Sequence, residues 1–207
     1  MTNQPLVAVL DYGIGNLRSA EKALQRAGAD ARLVTTSADA ARADGVVLPG
    51  VGAFGACMRA LQASGLDRAA HVAIDSGKPF LGVCVGLQLL MEGSEESPGV
   101  PGLGVISGTV RRIPDAPKLP HMQWNRLQFT GSSPLLHGLG ADPWVYFVHS
   151  YGAELNDPSQ VVATADYGGP VAAVLQRERL WATQFHPEKS GQVGLTLLKN
   201  FVEEVKS

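Results

Sequence analysis

The chain has 207 residues, 45% of them hydrophobic and 17% charged, which is enough apolar surface to bury one full core without a second domain. Seventeen basic against 19 acidic residues give a formal charge of −2, and the lack of any basic run excludes the electrostatic footprint of a nucleic-acid binder. Two cysteines do not make a disulfide framework, and neither C-x-x-C nor H-E-x-x-H spacing offers a metal site, so no metal or cofactor is expected.

The first residues, Met-Thr-Asn-Gln-Pro, lack the basic start and long apolar stretch of a signal peptide. The most apolar segment, residues 79–91, is too short to cross a bilayer and carries Gln88. A cytoplasmic protein with no membrane contact is expected. Leu6–Asp11 reads as a buried strand, and Leu17–Ala27 has apolar residues at helical spacing that stop near Gly28. Arg32–Thr36 and Gly45–Pro49 read as further strands, each followed by helix-forming sequence. Cys57, in the helix-like Ala53–Leu61, reads as a core or partly buried thiol. Such alternation predicts an α/β fold with an open, mostly parallel central sheet flanked by helices.

Beyond Glu96 the pattern changes. Val105–Arg112, Trp124–Phe129, Tyr146–Tyr151, Val161–Ala165, Val171–Gln176 and Leu180–Phe185 are strand-like and separated by turns, which predicts a mixed or antiparallel extension. Gly191–Val205 closes the chain as an amphipathic helix. With no internal repeat and no low-complexity linker, residues 1–207 are expected to form a single domain. In open sheets ligands bind beyond the carboxyl ends of strands, where Pro49, Cys84 and His186 fall.

Residues 82–86 read Gly-Val-Cys-Val-Gly, between the apolar Pro79-Phe80-Leu81 and the helix-like Leu87-Gln88-Leu89-Leu90. Glycines two residues either side of the cysteine permit a sharp strand-to-helix turn that lifts Cys84 above the sheet, the geometry of the G-x-S-x-G elbow with sulfur replacing oxygen. Unpaired N–H groups at a helix N-terminus favour a negatively charged sulfur. On the elbow alone two readings stay open: a nucleophile, or a small buried hydrophobe at a strand end.

A cysteine nucleophile needs a base, and the base an orienting acceptor. Trp181-Ala-Thr-Gln-Phe-His186-Pro187-Glu188 supplies both. Pro187 biases His186 away from the α region, and residues two apart on an extended segment point the same way, so Glu188 can accept from the His186 imidazole. An arbitrary H-x-E reads as a strand-end ion pair; beside an elbow cysteine, a Cys84-His186-Glu188 relay is the stronger reading.

Gly-Val-Cys-Val-Gly-Leu-Gln followed by Gln-Phe-His-Pro-Glu resembles, in the same order, the signatures of the class I (triad) glutamine amidotransferases. Asp11-Tyr-Gly-Ile-Gly-Asn16, Pro49-Gly-Val-Gly52, Pro120-His-Met-Gln-Trp-Asn125, Tyr146-Phe-Val-His-Ser-Tyr151 and His186-Pro-Glu-Lys-Ser190 narrow the likeness to the branch whose glutaminase subunits feed ammonia to a cyclase in histidine biosynthesis. The resemblance implies hydrolysis of glutamine by Cys84, His186 and Glu188, and a heterodimer with a cyclase subunit built as a (β/α)8 barrel. It implies an oxyanion site from the Val85 N–H and from Gly50, Val51 and Gly52, whose glycines would let the Val51 peptide switch orientation. Read without the family, Pro49-Gly-Val-Gly52 is a tight turn into a helix.

The resemblance further implies that Gln88, one helical turn beyond Cys84, meets the substrate, that Glu96 takes its α-amino group, and that Ser150 and Tyr151 contact its carboxylate end. Glu92 and Glu95 flank Glu96, and a solvated acidic loop explains all three almost as well. Asn16, Trp124, Asn125, Tyr146 and Lys189 match positions near the partner interface or the site entrance, although Trp124 alone reads as core and Lys189 as solvated. Gln123 departs from the pattern, standing where the branch has glycine. His149 reads as a hydrogen-bonded structural histidine, and His71 and His137 as surface residues. Two alternatives remain: the glutaminase of another synthase, such as pyridoxal phosphate synthase, whose oxyanion motif is rich in Gly, Glu and Ser, or a non-catalytic binding module on the same fold.

Overall fold

A computed structural model describes residues 4–207. Residues 1–3, part of the segment read as lacking a signal peptide, lie outside the described residues. No helix among the described residues is long and apolar enough to cross a membrane.

The first half alternates as its sequence predicts: β1 (Leu6–Leu10), α1 (Leu17–Ala27), β2 (Asp30–Val34), α2 (Ser37–Arg42), β3 (Gly45–Gly50), α3 (Phe54–Ser64), α4 (Leu66–Asp75), β4 (Phe80–Cys84) and the short α5 (Val85–Leu89). β3 and β4 are buried at every residue, so they read as continuous apolar runs rather than alternating ones. α1 ends where Gly28 enters the left-handed region at φ 106°, its N–H returning to the last carbonyls of the helix. α2 starts where the Thr36 hydroxyl accepts from the Asp39 N–H at 3.1 Å.

The second half comprises β5 (Gly93–Ser94), β6 (Gly108–Arg112), β7 (His121–Arg126), β8 (Gln128–Phe129), β9 (Trp144–His149), β10 (Tyr151–Leu155), β11 (Val161–Asp166), β12 (Pro170–Arg177), β13 (Leu180–Thr183) and α6 (Gly191–Lys206). The main sheet runs β2-β1-β3-β4-β13-β12-β11-β8. It is parallel from β2 to β13 and antiparallel beyond. Two small sheets, β10-β6-β5 and β7-β9, sit beside it.

Arg32–Thr36 is shifted to Asp30–Val34 and Leu180–Phe185 stops at Thr183, and three expected strands take a different course. Tyr146–Tyr151 is not one strand: β9 ends at His149 against His121, and β10 starts at Tyr151 against Arg112, so the chain changes sheets at Ser150. Trp124–Phe129 breaks at Leu127, whose N–H bonds Pro143 instead of continuing a ladder. Val105–Ile106 turn their N–H groups to Leu90, so the strand expected from Val105 begins at Gly108. In each case the competing partner comes from elsewhere in the fold, beyond the reach of local pattern.

One continuous buried cluster runs from Val7 through Leu48, Phe80 and Trp181 to Phe201. It fixes β3, β4 and β13 side by side, and their carboxyl ends converge on one cleft.

Candidate active site

Cys84 sits at the end of β4 with φ 55° and ψ −110°. A non-glycine residue held in the left-handed region is strained, and such strain persists only where the surroundings impose it. The neighbouring glycines show how. A Cβ on Gly86 would lie 1.8 Å from the Leu48 carbonyl oxygen, and one on Gly82 3.0 Å from the Gly86 oxygen. The turn is therefore pressed against β3 with room for hydrogen only. α5 has only five residues, so it offers the Cys84 sulfur the first N–H groups of one turn rather than a long helix dipole.

The parallel register sets Gly50 of β3 beside Cys84. The loop that follows is held at both ends. The Tyr12 hydroxyl donates to the Pro49 carbonyl at 2.8 Å, and the Cys57 thiol donates to the Val51 carbonyl at 3.2 Å. Burial raises the pKa of both donors, which keeps them protonated. Gly50 is close-packed, since a Cβ there would meet the Tyr12 oxygen at 2.8 Å. Gly52 has φ 90° with open space around it.

From the other side β13 delivers His186, whose Nδ1 lies 2.8 Å from Glu188 Oε1 with both side chains at most 5% exposed. Its N–H donates to the Tyr146 carbonyl at 3.1 Å, and the Ser190 hydroxyl donates to the His186 carbonyl at 2.7 Å while accepting from the Tyr146 N–H at 3.0 Å. The segment is thus tied to β9 before its side chain is considered. Burial alone would lower the His186 pKa, but the adjoining Cys84 sulfur and Glu188 carboxylate outweigh it and push the imidazole up to about 9. At neutral pH the ring is an imidazolium facing sulfur on one side and carboxylate on the other.

Cys84 and His186 open on a cleft of about 620 Å³ that is also lined by Val51, Gly52, Val85, Gln88, Glu96, Ser150 and Tyr151, with Asn16 and Lys189 on its wall. Gly50 and Glu188 lie behind it around a small adjoining cavity. Gln88 is buried, and its amide donates to the Tyr151 carbonyl at 3.0 Å and to Gln184 Oε1 at 3.2 Å. Both N–H donors are engaged, so its carbonyl oxygen is what remains for a ligand. The acidic cluster divides. Glu92 accepts from the Gly108 N–H and Glu95 pairs with Arg111, whereas Glu96 lines the cleft while accepting from the Phe54 N–H at 2.7 Å.

Trp124 and Tyr146 stand outside the cleft on the β7-β9 pair, edge to face at 6.1 Å, with Trp124 47% and the neighbouring Met122 60% exposed. Gln123 is exposed there as well. Asn125 turns inward to the Asp166 carbonyl at 2.8 Å. His149 is hydrogen-bonded and buried, His137 is exposed and His71 half-buried. Tyr12, Ser190, His121 and Gln184 carried no signal in the sequence beyond their places inside quoted motifs, yet each anchors this region. Among the described residues no group of three or more His, Cys, Asp or Glu could hold a metal ion.

The family model of the class-I glutamine amidotransferases matches residues 8–205. The chain belongs to the class I glutamine amidotransferase family. It is 51% identical to imidazole glycerol phosphate synthase subunit HisH of Deinococcus radiodurans, over 97% of this chain and 94% of that one. It is 49% identical to the HisH subunit of Methanothermobacter thermautotrophicus, over 98% of this chain and 100% of the relative. Solved structures share the fold at lower identity: a glutamine amidotransferase with a TM-score of 0.77 and 22% identity (97% and 99% covered), and PurLQS from Thermotoga maritima with 0.75 and 19% (97% and 99%).

Proposed function

We propose that this chain is the glutaminase subunit of an imidazole glycerol phosphate synthase and acts as one domain in the cytoplasm. The observation that carries the reading is the juxtaposition of a strained elbow cysteine, Cys84, and His186 on a single cleft, with the buried Glu188 bonded to His186 from behind.

The Cys84 thiolate attacks the side-chain carboxamide carbon of glutamine. The tetrahedral oxyanion is met by the N–H of Val85, which has no partner within its helix, and by the N–H of Val51 once the Pro49-Gly50-Val51-Gly52 peptide is turned toward it. His186, already protonated, gives its proton to the departing ammonia, leaving a thioester on Cys84. The neutral imidazole then takes a proton from water as that water attacks the thioester, and glutamate leaves. Glu188 holds the ring in the orientation both steps need. Glu96 takes the α-amino group of the substrate, Ser150 and Tyr151 its carboxylate end, and the Gln88 carbonyl oxygen accepts from a substrate N–H.

Ammonia released into water at neutral pH is largely protonated and no longer nucleophilic, so a shielded route to an acceptor is favoured. The acceptor is a cyclase subunit with a (β/α)8 barrel that converts a phosphoribosyl aminoimidazole carboxamide intermediate to imidazole glycerol phosphate. It docks over the exposed aromatic face of β7 and β9, with Trp124 and Tyr146 at its centre, Asn125 behind that face, and Asn16 and Lys189 at the cleft entrance.

Glutamate release from glutamine, measured for the chain alone and then with the cyclase and its nucleotide, tests the reading. Strong ligand-dependent stimulation that vanishes in Cys84→Ala is expected; no stimulation would shift the chain to another synthase partner.

A further inference from the structure

The cleft accounts for neither His121 nor the bond that His149 makes to it, yet both side chains are buried, His121 completely. His121 is clamped between the Tyr167 ring at 3.8 Å and the Phe147 ring at 4.7 Å, its plane nearly parallel to both. Its Nδ1 lies 3.0 Å from His149 Nε2, and His149 Nδ1 lies 2.8 Å from the Tyr151 carbonyl oxygen.

The directions of these bonds follow from one fact: a carbonyl oxygen only accepts. His149 Nδ1 therefore carries the proton. In the neutral ring Nε2 is then bare and accepts from His121 Nδ1–H, which leaves His121 Nε2 bare and facing the Asn125 amide at 3.4 Å. Burial pushes both rings down to about 4, in keeping with two neutral imidazoles. The sequence continues beyond Tyr151, because its carbonyl oxygen also accepts from Gln88, Gln88 donates to Gln184, and the Gln184 amide reaches Cys84 Sγ at 3.9 Å. A single file of polar groups thus runs from β7, the strand that presents Met122 and Trp124 to solvent, to the elbow cysteine.

We propose that His121 and His149 are positioning residues of the glutaminase reaction, a one-directional hydrogen-bonded pair that ties β7 to the Tyr151 carbonyl and thereby holds the Gln88 amide in the floor of the glutamine pocket. The proposal rests on the glutaminase reading above. It makes a displacement of β7 from outside felt at the pocket through two rings, His121 held between its stacked aromatic neighbours and His149 held by hydrogen bonds at both of its nitrogens.

Two measurements on the full chain test it. The ring nitrogen shifts of His121 and His149 in an NMR spectrum of imidazole-labelled protein report the tautomers independently of activity: both rings in the Nδ1–H form are expected, and an Nε2–H ring at either position overturns the file of bonds. In the complex with the cyclase, His121→Phe keeps a flat ring between Phe147 and Tyr167 but removes both bonds, and His149→Leu removes the carbonyl donor. Each should raise KM for glutamine about tenfold with a smaller change in kcat, whereas His149→Gln, which keeps one donor and one acceptor, should stay within about threefold of the parent. Folded His121→Phe and His149→Leu variants with parental KM, or a Gln variant as impaired as Leu, would overturn the positioning role. A parent complex that hydrolyses no glutamine would count against the glutaminase reading instead, and the ring shifts would still decide the hydrogen-bonded pair.

Discussion

The parallel strands β3 and β4 and the antiparallel pair β7-β9 meet at one cleft but are built on opposite terms. β3 and β4 are buried throughout, and what they contribute is backbone: a strained turn at Cys84, glycines with no room for a methyl, and N–H groups at the end of a sheet. β7 and β9 contribute side chains, a histidine pair on the inside and Met122, Trp124 and Trp144 on the outside. The first region fixes where chemistry happens; the second links that place to the surface. Interior packing tolerates little change, while an exposed face tolerates much unless something docks there.

Breaking the first region should have the largest effect. Cys84→Ala is expected to reduce glutamine hydrolysis by about 10³-fold or more, with folding and partner binding retained; normal turnover in that variant would remove the nucleophile assignment. Gly86→Ala forces a methyl into the Leu48 carbonyl and should cost about 3 kcal/mol in a denaturation curve. Gly28→Ala, at positive φ but in open space, should cost only about 1 kcal/mol. Equal losses at the two positions would contradict the close approach of the elbow to β3.

Intermediate effects sharpen the link between the regions. Glu188→Gln removes the charge that helps raise His186, so the imidazole pKa should fall from about 9 and hydrolysis by about 10²-fold; an unchanged rate would take Glu188 out of the relay. Trp124→Ala should weaken cyclase binding by about 2 kcal/mol in a titration while leaving the melting temperature of the isolated chain within a degree or two, since Trp124 is 47% exposed.

A further effect, spread over the pH range, is a pH dependence with opposite signs in the two regions. His121 and His149 titrate near 4 when folded against 6.5 when unfolded. Between those values the unfolded chain binds protons that the folded rings do not, so their stability is present above pH 6.5 and falls with pH toward 4, by at most about 1.4 kcal/mol per pH unit for each ring. His186, raised to about 9, contributes fully below pH 6.5 and loses its contribution as pH rises toward 9. Melting temperatures from pH 4 to 9 should show loss on the acid side that His149→Gln reduces; no change in that variant would contradict the burial argument.

How much of this was legible in the sequence also differs between the regions. The strand-helix alternation, the end of α1 at Gly28 and the turn at Cys84 are local events signalled by apolar runs and glycines, and they stand where the pattern puts them. The break at Ser150 was not legible, because Tyr146–Tyr151 continues without punctuation and only the arrival of β6 beside Tyr151 makes the chain change sheets. The Gln88–Gln184 contact spans 96 positions and neither residue advertises a buried partner. Glu96 could not be separated from Glu92 and Glu95 until Arg111 and the Gly108 N–H were seen to occupy the other two.

Both cysteines are buried, but only Cys84 stands at the elbow facing the cleft, while Cys57 holds the Val51 carbonyl. Treating the complex with a diazoketone analogue of glutamine and mapping the alkylated peptide by mass spectrometry separates them directly. A single adduct on Cys84, suppressed by excess glutamine and absent from Cys84→Ala, is expected; labelling of Cys57, or of Cys84 without protection by glutamine, would contradict the assignment of Cys84 as the nucleophile.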